Sequence, residues 1–304
     1  MLDICLLGTG GTQPLINRWL TSLMVRYKGH AVLIDCGEGT QIAAQKAGLS
    51  LKPVDKILIT HLHADHISGL PGLLLTMGNM GRTEPISIIG PAGTERVVSA
   101  LRSIATTLPF EVKVSELICD DELMYFLECD IRAFAVQHGM PCYGYSFTLP
   151  RAGKFDAVRA RELNIPLEYW KSLQKGEVVE HDGQTYTPDM VLGPSRRGLK
   201  LTYCTDTRPT PAIAAAAADS DLFICEGMYG EDVNLPKARE NKHMLFSEAA
   251  TLAAQAGGVK ELWLTHYSPS LPNPKAYRDI ARAIFPNTHT PRDGWFKSLT
   301  FDDN

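Results

Sequence analysis

Short apolar runs, each stopped by a polar or glycine-rich break, recur along most of the chain. Their length, β-branched content and bounding turns predict strands at residues 2–7, 20–27, 30–34, 56–60, 86–89, 112–117, 123–128, 131–137, 143–149, 199–204, 221–225, 261–265 and 296–301. Helical spacing predicts helices over 41–47, 93–104, 211–218, 247–256 and 275–284, with Gly48 closing the first and Ser247 capping the fourth. Lys28-Gly29 joins two strands as a hairpin. The glycine-rich turn Gly8–Pro14 lacks the Lys-Ser/Thr of a phosphate loop and the Gly-x-Gly-x-x-Gly spacing, so it reads as a tight turn. From 150 to 200 the pattern becomes polar and broken, with a short helix at 155–163 and a hairpin through His181-Asp182-Gly183. The expectation is a single domain over 1–304 carrying an inserted arm at 150–200.

The breaks that follow the strands carry the chemistry. Asp35, His61, His63, His138, Asp206, Glu226 and His266 each stand at or just beyond the end of an apolar run. Ligands in sheets flanked by helices collect at such strand ends, so these residues are expected to converge on one cleft. The densest stretch is Thr60-His61-Leu62-His63-Ala64-Asp65-His66, where a strand runs into a loop and a short helix. His61 and His63, two apart in extended chain, point the same way, while Asp65 and His66 lie where the chain turns. Imidazole with carboxylate suits zinc, and also manganese, iron or nickel. His61, His63 and His138 would hold one ion, Asp65, His66 and His266 a second, with Asp206 bridging. Such a pair, about 3.5–4 Å apart, holds a hydroxide at neutral pH and neutralises attacking and leaving oxygens, which points to hydrolysis of an ester, most naturally a phosphodiester. Asp35 either orients a ligand imidazole from behind or caps the Asp-x-Gly-x-Gly turn.

Composition narrows the setting. Of 304 residues, 44% are hydrophobic and 21% charged, which fits a globular chain with a substantial core. The net charge of −4 means that any nucleic-acid surface must be a local patch. The arm carries Arg151, Lys154, Arg159, Arg161, Lys171, Lys175, Arg196, Arg197 and Lys200 against seven acidic residues, a slight basic excess only. Seven cysteines with no Cys-x-x-Cys pair argue against a disulfide framework or a thiolate metal site. No run approaches the roughly 20 apolar residues of a membrane span, so no membrane partner and a cytoplasmic location are expected.

His61-x-His63-x-Asp65-His66 with His138, Asp206 and His266 resembles the metallo-β-lactamase fold. More narrowly, Leu33–Gln41, Gly69–Leu74, Gly144-Tyr145 and Asp206-Thr207-Arg208 resemble ribonuclease Z. The resemblance implies an α/β (α+β) four-layer αββα sandwich with two Zn2+ per subunit, Mn2+ or Fe being alternatives. It also implies a metal-dependent endonuclease that cuts precursor tRNA after the discriminator nucleotide. In that scheme Asp65 is proton acceptor as well as ligand, and His243, oriented by Glu226, supplies the leaving-oxygen proton. A homodimer whose protruding arm grips the tRNA elbow is implied too. The departures lie in the RNA-reading loops. The family's Pro-x-Lys-x-Arg-Asn reads Pro14-Leu15-Ile16-Asn17-Arg18-Trp19, its His-Glu-Ala-Thr reads Cys225–Met228, its His-Ser-Thr reads His243-Met244-Leu245, and Leu167-Glu168 replaces the arm's Gly-Pro. The alternative is a two-metal phosphodiesterase or esterase on small substrates.

Overall fold

A computed structural model describes residues 1–105 and 107–301; Thr106 and the end of the expected 1–304 domain, 302–304, lie outside the described residues. Two sheets of seven strands are packed face to face. The first runs, edge to edge, Trp295–Leu299, Leu2–Gly8, Ser22–Tyr27, His30–Ile34, Val54–Leu58, Ile86–Gly90 and Val112–Glu116. The second runs Thr288–His289, Leu262–Thr265, Leu222–Glu226, Arg196–Cys204, Cys142–Arg151, Cys129–Val136 and Asp121–Phe126. Between them lies a core in which Leu6, Val25, Ile34, Ile131, Phe147, Leu201, Tyr203 and Trp263 meet. Each outer sheet face buries a second apolar cluster under helices, among them Leu70–Asn79 on the first and Pro211–Ala217 with Phe246–Ala256 on the second. The layers are therefore αββα, the metallo-β-lactamase architecture.

Each sheet is antiparallel in one half and parallel in the other. Parallel neighbours need long crossovers, which here carry the outer helices and turn back at the carboxyl ends of the strands. Asp35, Thr60-His61, Thr205-Asp206, Glu226 and His266 occupy those ends in both sheets. Their convergence follows from this topology.

Some local expectations change. The strand expected at 56–60 is Val54–Leu58, because the Thr60 N–H leaves the ladder for the Asp35 carboxylate at 2.8 Å. Ser247 is not a cap: the helix is Phe246–Ala256, the Glu248 carboxylate accepts the Leu245 N–H at 3.0 Å, and the Ser247 hydroxyl donates to Asp232 instead. The helix expected at 275–284 is a 3-10 turn, Pro274–Tyr277, running into Arg278–Arg282. A helix at Leu235–Asn241 gave no periodic signal, since it buries only Ala238. Residues 155–192 pack Ala160, Ile165, Leu173, Tyr186 and Val191 into a small cluster of their own, and the hairpin through Asp182-Gly183 is present. No helix among the described residues is long and apolar enough to cross a membrane.

Candidate metal centre

Three strand ends bend out of the sheets through left-handed backbone at non-glycine residues: Asp35 (φ 60°), Asp206 (φ 44°) and His266 (φ 56°). Such conformations are unfavourable by roughly 1 kcal/mol or more and persist where the surroundings impose them, typically at functional sites. Here they turn side chains into one buried cluster.

His61 Nε2 lies 3.0 Å from His63 Nδ1, and His138 Nε2 lies 3.2 Å from the same atom. Asp206 Oδ2 faces this trio, 3.6 Å from His61 Nε2 and 3.9 Å from His138 Nε2. Its other oxygen, Oδ1, faces a second group, 3.3 Å from His66 Nε2 and 3.0 Å from His266 Nε2. Asp65 Oδ2 completes that group, 3.4 Å from His266 Nε2 and 3.6 Å from His66 Nε2. All seven residues expected as ligands are thus brought together, in the two sets expected, with Asp206 between them.

The donor set fits a divalent metal. The ring nitrogens face one another at 3.0–3.3 Å, close enough for one proton between each pair and for lone pairs that converge on a shared point. They suit ligands at adjacent corners around a cation, since two nitrogens about 2.05 Å from zinc in a tetrahedron stand roughly 3.3 Å apart. Burial pushes His61 well below its ordinary range, and lowers His63 and His138, so all three favour the neutral imidazole that ligates metals. Burial opposes ionisation of Asp206, but His266, His66 and His61 around it hold the carboxyl well below the usual range.

Partners behind the ligands fix them. Asp35 is fully buried; it accepts the Thr60 N–H at 2.8 Å and the Thr60 hydroxyl at 2.9 Å, and its Oδ2 lies 2.8 Å from His66 Nδ1. Burial raises its carboxyl, and His66 and Thr60 oppose that rise. Of the two roles expected for Asp35, the imidazole contact is the one seen.

Glu226, buried at its strand end, accepts the N–H groups of Thr207 at 2.5 Å and Met244 at 3.1 Å, and its Oε2 lies 3.1 Å from His243 Nδ1. Burial alone would lower His243; the Glu226 carboxylate, with Asp206 and Asp65 beyond it, raises it to about 9. Its ring stacks on His266 at 5.5 Å and lines the open cleft of about 680 Å³ above the cluster.

A family model described as Anti-Pycsar protein Apyc1 matches residues 2–103, a third of the chain that includes the His61–His66 stretch. Over the whole length, the ribonuclease Z of Agathobacter rectalis is 57% identical, with 100% of each chain covered. The chain belongs to the ribonuclease Z family. Among solved structures, the short form of human tRNase Z superposes with a TM-score of 0.71 at 24% identity, covering 98% of this chain and 100% of that one. The metallo-beta-lactamase fold protein YhfI from Bacillus subtilis gives 0.69 at 18% identity, with 97% and 98% covered. At these identities the likeness speaks to the fold.

Several further contacts hold the site, and the sequence pointed only to a tight turn beside it and to Arg208. The Thr12 N–H, from the glycine-rich turn, donates to Asp65 Oδ2 at 2.6 Å. Gly11 in that turn lies against the His266 ring, where an added Cβ would stand 2.5 Å from Cε1. Lys242 holds His138 from two sides: its Nζ donates to the His138 carbonyl at 3.0 Å, and its own carbonyl lies 3.2 Å from His138 Nδ1. Arg208 donates to the His243 carbonyl and pairs with Glu248, tying the His243 loop to the helix behind it. The cue for Arg208 was its place in Asp206-Thr207-Arg208.

Proposed function

We propose that this chain is a zinc-dependent endoribonuclease that cleaves precursor tRNA after the discriminator nucleotide and removes the 3′ trailer. The observation that carries the reading is Asp206 set between two histidine groups in a chain that matches a ribonuclease Z over its whole length. His61, His63 and His138 would hold one ion and Asp65, His66 and His266 the other, with Asp206 shared. Two bound Zn2+ ions would supply an activated water and neutralise charge on the scissile phosphate. Asp65, held by the Thr12 N–H, would take the proton of that water as well as serve as a ligand. His243 carries its proton at neutral pH, and with Nδ1 turned to Glu226 its Nε2 is left to donate to the leaving oxygen.

The segment at 150–200 is proposed as an arm that grips the tRNA away from the cleft, and two copies of the chain as a homodimer in the cytoplasm. Its separate apolar cluster supports removal without loss of the main core. The test is cleavage of a 3′-extended precursor tRNA by zinc-loaded protein, with an arm deletion, Asp206→Ala and a small chromogenic phosphodiester in parallel. A single cut after the discriminator, lost in Asp206→Ala and crippled by arm deletion while the diester is still turned over, bears out the reading. Diester turnover with no cut in the tRNA overturns it and favours the small-substrate phosphodiesterase.

A further inference from the structure

Beside the loop that follows His266 lies a second cavity, about 500 Å³, lined also by the segment that leads into the C-terminal strand. That is the size of a small-ligand site. Tyr267, next to His266 in the chain, and the Pro272–Lys275 segment line it together with Arg292, Asp293 and Trp295. Its lining is cationic. Arg18 is a fixed part of the wall, because its guanidinium donates to the carbonyls of Ser268, Leu271 and Pro272 at 3.3, 2.9 and 3.0 Å. The one lining carboxylate among the described residues, Asp293, is turned to Thr9 and Trp19, accepting their N–H groups at 3.0 and 2.6 Å.

Three further cations have no such occupation. Among the described residues, Lys275 and Arg292 have no ion-pair partner, and Arg278 comes no closer than 3.8 Å to Asp279. Arg278 Nε is buried without a hydrogen-bond acceptor. A buried donor left unpaired is unfavourable by about 1–3 kcal/mol, and the side chain, 26% exposed, is bound to no acceptor that holds it in place. Beside these cations stands Trp295, 40% exposed and braced edge-on by the buried Trp263 at 6.4 Å. A held, half-exposed indole next to unpaired guanidinium groups is the combination that takes a nucleotide: cations on the phosphate, an aromatic face under the base.

We propose that this cavity is a nucleotide subsite, binding a nucleoside phosphate with the phosphate on Lys275, Arg278 and Arg292 and the base on Trp295. The nucleotide is either a unit of the RNA, a source that rests on the function proposed above, or a free mononucleotide; binding itself depends on neither.

The test is calorimetric titration of zinc-loaded full-length protein with adenosine 5′-monophosphate and with a short single-stranded RNA. Arg278→Gln, Arg292→Gln and Lys275→Gln are compared with Asp206→Ala, which alters the cleft alone. The expected result is binding of both ligands weakened about tenfold in each cavity variant, mononucleotide binding kept in Asp206→Ala, and a salt slope for the RNA that falls by about 0.7 for each phosphate contact removed. Should Arg278→Gln melt early, Lys275→Gln and Arg292→Gln, whose side chains have no hydrogen-bond or ion-pair partner among the described residues, decide the matter. Binding that survives all three substitutions, or is lost only in Asp206→Ala, overturns the subsite. KM for precursor tRNA raised about tenfold at unchanged kcat identifies the RNA as the source; unchanged KM with lost mononucleotide binding identifies the free ligand. Wild-type protein that binds the mononucleotide but never cuts tRNA would sink the functional reading and leave the subsite standing.

Discussion

Glu226 holds His243 through Oε2 and Nδ1 at 3.1 Å, and the same carboxylate anchors the backbone on both sides of the cleft, at Thr207 and Met244. One buried residue therefore sets the charge of the candidate proton donor and its position over the metal ligands. The family resemblance implied the pairing of Glu226 with His243; the two backbone contacts had no cue in the sequence.

Glu226→Gln keeps the shape but removes the charge that keeps His243 protonated. Turnover of precursor tRNA should fall by about 10²-fold, the order of a lost general acid, while metal content stays at the wild-type level. Single-turnover rates measured beside metal analysis check this. A variant that cleaves normally would remove His243 from the proposed proton transfer.

Gly11→Ala would place a Cβ 2.5 Å from the His266 ring. The ring or the turn must shift, and a displacement of about 1 Å at a site of this kind costs on the order of 100-fold in rate. Gly139, next to His138, has open space around its Cβ position, so Gly139→Ala should bind metal as the wild type does. Metal content and cleavage rate of the two variants make the comparison.

How much could be read in advance follows from these contacts. The two sheets and most of the clustered histidines and carboxylates were legible because they stand at or just beyond an apolar run that ends at the cleft; His138 after 129–136 and His266 after Leu262–Thr265 are examples. Thr12, Lys242 and Gly11 were not, because what they contribute is a backbone group, a long side chain or an absence of side chain. Their partners lie far away in sequence, 53 residues from Thr12 to Asp65 and 104 from Lys242 to His138. Arg18, the arginine kept in the altered Pro14–Trp19 loop, pins the loop after His266 through the Leu271 and Pro272 carbonyls, a contact with no signal in the sequence. The Ser247 cap failed for a local reason: Glu248 already satisfies the first free N–H of that helix.

Asp35→Ala removes the oxygen behind His66 and leaves Thr60 with a buried, unanswered N–H. Partners of ligand imidazoles typically contribute 10–100-fold to metal affinity. Zinc should therefore leave this variant at chelator concentrations about 10–100 times lower than in the wild type, measured by competition with a chromophoric chelator. Equal retention would reduce Asp35 to a turn residue.

Asp221 gives the fold a pH dependence away from the metals. Its carboxylate accepts Arg197 Nη1 at 2.6 Å and the Lys200 N–H at 2.8 Å, and lies 3.0 Å from Lys260 Nζ. Burial works against the charge, but these donors outweigh it and hold the carboxyl below its ordinary value. A group depressed in the folded state stabilises the protein above its unfolded value of about 3.9, and loses that contribution as pH falls through the folded value. The wild type should therefore lose stability steeply below pH ~4. Asp221→Asn should be less stable at pH 7 by about 1–2 kcal/mol, since the two cations are half exposed and screened, and the difference should shrink as the pH falls. Urea denaturation across that range measures it, and a constant gap between the two proteins at every pH would assign the loss to packing and not to charge.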